Sequence, residues 1–345
     1  MLGKSPSRLP HIAPKRARVE HIDSAHHATP LIPDQLLPWL FAAGLLLGLA
    51  MLTLALTARA DSAAPRALPS AGAAAGILEK LPSNANDFAR DFFRHEVQAE
   101  MMDNSLWSFR ETKREDGKLK LLDVCQTRQG QVERLIAQDG HPLGPRELAA
   151  EDARIQSVIS DPAQMRLRQK KQHDDGEQAR RLLRMFPDAF QFQYDGTQGP
   201  LVRLKFSPDP KFRPPDRAAQ VFHHMQGTVL VNAQQKRLAA INGRLTSEVK
   251  FFGGLLGYLD EGGTFHVEQK EVAPRIWEVS VMHVHMTGRV LFFKTIDEQE
   301  DETYSDFRSV PENTSLEQAA QRVKDGLGSR QARAQMHPND SANSR

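Results

Sequence analysis

A single cysteine, Cys125, is all the thiol chemistry this sequence contains. A disulfide framework within the chain is therefore excluded, as is a zinc cluster built on cysteines, and the fold has to be held by its core. An excess of charge of one sign is also missing. The 45 basic and 43 acidic residues leave a net charge of +2, so the chain lacks the whole-molecule field of a nucleic-acid binder. Signatures of catalysis are absent as well: no G-x-S-x-G, no H-E-x-x-H, no phosphate loop and no dinucleotide fingerprint. His95-Glu96 opens like a metalloprotease helix, but Ala99 stands where the second imidazole is needed. Cys125 lies between Val124 and Gln126 in strand-like text, where a small half-buried residue is a better reading than a nucleophile. No repeat of fixed period is present. The expectation is a protein that is not an enzyme, needs no cofactor and binds no nucleic acid.

What is present begins with one apolar run. Residues 36–58 carry no charge and are mostly Leu, Ala and Gly. That length suffices to cross a hydrocarbon layer of about 30 Å as a helix. Lys4, Arg8, Lys15, Arg16 and Arg18 precede it, which favours a cytoplasmic N-terminus, and Trp39 suits the membrane interface. Ala58-Arg59-Ala60 follows, a small-x-small pattern of the kind signal peptidase cleaves. The readings are an uncleaved transmembrane anchor, favoured by the long leader, and a cleaved export signal. A buried core helix is the bland alternative. Either export reading places residues 61 onward outside the cytoplasm.

Along the rest of the chain, residues 1–35 are expected to be a disordered basic leader and 59–84 a linker. Residues 86–102 repeat Phe88, Phe92, Phe93 and Val97 at helical spacing. Strand-like segments follow at 106–112, 118–127 and 131–138, and a charged helical insertion at 146–185 breaks at Asp161-Pro162. From 188 the text returns to alternating strands, including "FQFQY" and "LVRLKF". The acidic run 297–302 reads as a solvated turn, and 311–345 as a short helix with a disordered tail. Strands at this density predict an α+β fold with one large antiparallel sheet.

Three stretches carry a likeness. "QVERLIAQDGHPLGP", "GTVLVNAQQKRLAAINGRL" and "GGTFHVEQKEVAPRIWEVSVMHVHMTGRVLFFKTI" resemble strand and turn patterns of uncharacterised exported bacterial proteins related to the LolA-like superfamily. The likeness covers roughly residues 85–310 and departs from the hairpin pattern at Asn232, where relatives often carry Asp. It implies a curved antiparallel sheet forming an incomplete β-barrel with helices on its concave side, in the bacterial envelope. The location implied is the inner membrane with a periplasmic domain, or the periplasm or exterior after cleavage at Ala60. The family's best-known members carry lipids or lipoproteins, so an apolar partner is implied, with the inner membrane contacted through 36–58.

The stretch "VKFFGGLLGYLDEGG" is both apolar and rich in glycine. One reading makes it a gate at the mouth of an open barrel, with Phe251, Phe252, Leu255, Leu256 and Tyr258 touching an acyl chain. Trp107, Phe109, Phe265 and Trp277 would then line the interior. The bland reading is a bent strand whose apolar side chains fill an ordinary core. Burial of one large side chain contributes about 1.5–3 kcal/mol, so a few gate residues suffice for reversible contact. His283 and His285 share a strand face, with His266 on a neighbouring strand. Three converging imidazoles are a weak candidate for Zn²⁺ or Cu²⁺, set against a polar sheet face with scattered histidines, and no metal is expected. The expected function is binding or carrying an apolar ligand such as a lipid, acyl chain or lipoprotein. The alternative is a membrane-tethered periplasmic interaction or sensor domain with a filled core.

Overall fold

Asn84 sets the start of the first helix, α1 (Ala85–Met102): its Oδ1 accepts the N–H of Asn86 at 2.9 Å. Phe88, Phe92, Phe93 and Val97 then fall on one buried face. The computed structural model describes residues 55–56, 81–115, 117–216, 218–251, 257–290 and 294–326. After α1 comes a meander of β2 (Asn104–Glu115), β3 (Lys118–Thr127), β4 (Gly130–Gln138) and β5 (His141–Pro142), with β1 (Ala55–Leu56) paired to the start of β2. Two helices follow, α2 (Pro145–Ile159) and α3 (Pro162–Ala189). Asp161 separates them, accepting the N–H groups of Ala163 and Gln164 on its Oδ1 while Pro162 opens α3.

The second run contains β6 (Phe190–Gln198), β7 (Leu201–Pro208), a 3-10 helix (Ala218–His224), β8 (Met225–Asn232) and β9 (Arg237–Leu245). It continues with β10 (Val249–Phe251), β11 (Gly257–Leu259), β12 (Thr264–Ala273), β13 (Ile276–Val290), β14 (Lys294–Val310) and α4 (Leu316–Asp325). At the β8–β9 turn Asn232 Oδ1 accepts the N–H groups of Gln234 and Gln235, both at 3.1 Å. An amide oxygen does there what a carboxylate would do.

All the described strand pairings are antiparallel, in the order β5-β4-β3-β2-β14-β13-β12-β9-β8-β7-β6. The fold is thus α+β, a curved antiparallel sheet that does not close into a barrel, as expected. Its flank at β6 is partly occupied: Asn86 Oδ1 accepts the N–H of Phe192 at 2.8 Å, and the phenol of Tyr194 donates to the carbonyl of Pro82 at 2.8 Å.

Two cores form on the sheet. The larger holds the apolar face of α1 and the C-terminal half of α3 against β6–β9, β12 and β13. Phe186 is its hub, with ring centroids 4.5 Å from Phe190 and 5.0 Å from both Phe93 and Phe206. The smaller holds α2, α4 and Met165 of α3 against Leu106, Cys125, Val132 and Val310. At 28 residues, or about 42 Å, α3 ties the two together.

The transmembrane helix expected over 36–58 is overturned where it can be seen. Ala55 and Leu56 are extended and pair with Ser105 and Asn104, and no helix among the described residues is long and apolar enough to cross a membrane. The remainder of 36–58 lies outside the described residues, as do the leader, most of the linker and the tail. The acidic run 297–302 is not a turn but the middle of β14, paired with β13 from Asp297↔Thr287 to Glu302↔Met282. Backbone pairing between β13 and β2 outweighs the poor strand propensity of its acids.

Candidate functional site

The two-residue period of the strands places polar side chains of β6–β9 and β12–β14 on the face opposite the larger core. Register then aligns them across the sheet. Gln193 lies opposite Lys205, Lys205 opposite Thr228, and Thr228 opposite Asn242. The row continues through His266 and His283 to Asp301 on β14. A second row runs beside it: Gln226, Arg244, Thr264, His285 and Gln299, with the pair Gln191 and Ser207 at its β6 end. Together the rows line a groove of about 820 Å³.

Two glycines underlie this groove. Gly227 and Gly243 face each other on β8 and β9, and Phe206 and Phe265 are their partners on the outer neighbours. A Cβ on Gly243 would come within 2.1 Å of the Phe265 ring, and one on Gly227 within 1.9 Å of the Asn242 carbonyl oxygen. Aromatic rings thus lie over glycines from the core side, an arrangement that lets the sheet bend at this point.

Several charged or titratable groups of the groove face a group of opposite charge, while the exposed Arg244 meets a neutral amide. His283 Nδ1 is 3.0 Å from Asp301 Oδ1, and His266 sits between Asn242 and Glu268, with Nε2 2.9 Å from the Glu268 carboxylate. The His266 and His283 rings stack at 6.0 Å, 12° from parallel. His285 Nε2 is 4.0 Å from Asp297, and Lys205 is 2.7 Å from Asp195. With its oxygen turned to Arg244, the Gln226 amide accepts from the guanidinium at 3.0 and 3.2 Å. No group of three or more His, Cys, Asp or Glu among the described residues could hold a metal ion. The three histidines lie on one face as expected, but they spread along two rows and are engaged by carboxylates.

The apolar residues expected to share one cavity do not. Trp107 and Phe109 are buried in a cluster of their own with Leu122 and Val124, against Phe307 and Tyr304. Phe265 belongs to the larger core. Trp277 is buried at the β12–β13 turn, where its indole N–H donates to Gln235 at 2.8 Å. Of the gate residues, Phe252, Leu255 and Leu256 lie outside the described residues, and of Phe251 only the backbone is described, ending β10. Tyr258 is half-buried in β11, paired with Lys250 and Arg289. The apolar stretch is therefore framed by a short hairpin laid on β13.

Across the sheet from the groove, β2 and β14 carry a second polar cluster. Burial pushes the Glu111 carboxyl up to about 7, against the pull of Lys113 at 3.4 Å and with Glu302 and Glu133 adding like charge. Glu302 is raised by burial too, while accepting the phenol of Tyr304, which is itself held well above its ordinary range.

No protein-family model, no curated protein and no solved structure matches the chain. The groove rows were not found from sequence, although a signal existed: "QFQ", "HVHM" and "DEQED" place polar residues two apart. Which residue faces which on the next strand depends on turn lengths and bulges, and those fix the rows.

Proposed function

We propose that the protein is a non-catalytic interaction domain with a filled core, which holds a polar, extended partner in the groove between β6 and β14. The observation that carries this reading is the seven-strand row from Gln193 to Asp301, joined strand by strand without an aliphatic residue. Amides, hydroxyls and imidazoles along it both donate and accept hydrogen bonds, so they can replace the water that a polar chain loses on binding. An apolar cargo finds less here, because the aromatic residues that would receive it are spread over separate clusters and already buried.

The test is nuclear magnetic resonance of the full chain with three probes: a neutral hexasaccharide, an octapeptide and palmitate. A polar probe is expected to shift the side-chain amides of Gln193, Gln226 and Gln299, and Thr264→Trp, at an exposed point midway along the second row, is expected to abolish the shifts. Groove amides unmoved by both polar probes, with palmitate binding instead, overturn the reading.

A further inference from the structure

We infer that the groove partner is an extended peptide that crosses the strands with an acidic side chain over Arg244 and a basic one four residues along, between Asp297 and Asp301; the inference rests on the groove reading above. Charge is the first argument. Arg244 lines the groove and is exposed, and no carboxylate among the described residues pairs with it. The Gln226 amide engages its Nε and one terminal nitrogen, which leaves the rest of the guanidinium fork open to an incoming carboxylate. At the β14 end of the same row, Gln299 lies between Asp297 and Asp301, which share its strand face. Asp301 meets His283 and the Gln299 amide, both at 3.0 Å, and Asp297 meets His285 at 4.0 Å. Neither is paired with a lysine or arginine among the described residues. A partner that carries both signs answers both ends. A neutral chain leaves Arg244 unmatched, and a polyanion is repelled at β14.

Spacing is the second argument. From Arg244 the row passes through Thr264 and His285 to Gln299. Three interstrand steps make roughly 14 Å. An extended peptide advances about 3.4 Å per residue and alternates its side chains, so residues four apart share a face and stand about 14 Å from each other. An acid and a base at that spacing reach Arg244 and the β14 carboxylates together. At a spacing of three they point to opposite sides, and one of the two contacts is lost. Between the charged ends, Thr264 and His285 are both exposed. A hydroxyl there donates to a peptide carbonyl and accepts from a peptide N–H. Lys205, held by Asp195 at 2.7 Å, adds no second open cation that would favour a run of acids.

The experiment is fluorescence anisotropy of the full chain with labelled, end-capped octapeptides built on glycine, glutamine and serine. One is neutral. Two carry an aspartate and a lysine four residues apart, in either order, because the row does not fix the direction of the peptide. A fourth carries them three apart, and octaglutamate is the polyanion control. One of the four-apart peptides is expected to bind about three- to tenfold more tightly than the three-apart peptide, the range of an exposed ion pair in good geometry, and to weaken as salt is raised. Arg244→Gln should remove the gain due to the aspartate, and Asp297→Asn with Asp301→Asn the gain due to the lysine. Arg244→Glu should turn the preference toward a peptide with lysine at both positions, a reversal that a misfolded variant does not produce. Equal affinity for the neutral, three-apart and four-apart peptides, or octaglutamate binding most tightly, overturns the charge-matched peptide and leaves the groove as a site. If neither these peptides nor the hexasaccharide binds in a manner sensitive to Thr264→Trp, the groove reading itself fails.

Discussion

Arg237 at the start of β9 donates through Nε to Glu96 Oε2 on α1 at 2.9 Å, and both side chains are buried. The same carboxylate oxygen accepts the N–H of Leu238 at 2.9 Å. One helical residue thereby fixes the first turn of β9 and the seat of α1. Removing either member leaves the other charge buried without its partner, a loss of about 3–5 kcal/mol. Glu96→Ala and Arg237→Ala are each expected to lower the urea midpoint accordingly, and the double variant by less than their sum. A loss below about 1 kcal/mol for both single changes contradicts the clamp.

Stability should fall as pH rises through the weakly acidic range. Glu111 has its carboxyl raised by burial from 4.5 to about 7, and Glu100, near Arg180 on α3, is raised by burial to about 7 as well. Between these values the folded chain keeps protons that the unfolded chain has released. The resulting stabilisation is greatest near the acid end of the window and is gone above about 7. The upper bound is on the order of 3 kcal/mol for each group. Paired carboxylates such as Glu151 and Asp152, which Arg154 and Arg134 hold below the usual range, act in a lower window, where stability falls as pH drops. Urea midpoints at pH 5 and pH 8 check the sign, and Glu111→Gln should flatten the difference. An unaltered slope in that variant counts against the assignment.

Gly243→Ala should destabilise the fold by about 1–3 kcal/mol, the usual range for overpacking, because the Phe265 ring occupies the space of the added methyl. Gly227→Ala should be worse, since the obstacle there is the Asn242 carbonyl rather than a movable ring. Phe265→Leu should recover part of the loss at Gly243 and none at Gly227. Thermal unfolding of the four variants distinguishes these outcomes.

Cys125 should be silent toward thiol reagents in the folded protein. It is fully buried in the smaller core, and burial pushes its thiol up to about 11. Modification by a disulfide reagent at pH 8 is expected only as fast as the core opens. Rapid labelling of the native chain refutes this.

Much of the fold was legible in sequence because it is written in local periods. The Phe88–Phe92 spacing marks α1, Asp161-Pro162 marks the break before α3, and "FQFQY" marks β6. The acidic run of β14 misled, since a strand held between two long neighbours tolerates charges that a propensity argument rejects. The site was less legible. Aromatic residues such as Trp107 and Trp277 carry the same hydrophobic signal whether they line a hollow or close it, and helix placement decides between the two. The groove depended on cross-strand register, in which Gln193 and Asp301 belong to one row though more than a hundred positions apart.

Because the sheet stays open, its terminal strands could template growth by a second copy. At β6 the outward amide of Phe192 is already bonded to Asn86, and Tyr194 is tied to Pro82, so the N-terminal end of α1 acts as a stopper against strand-by-strand polymerisation. The residue that helps begin the first helix thereby also guards the molecule's solubility at its far edge.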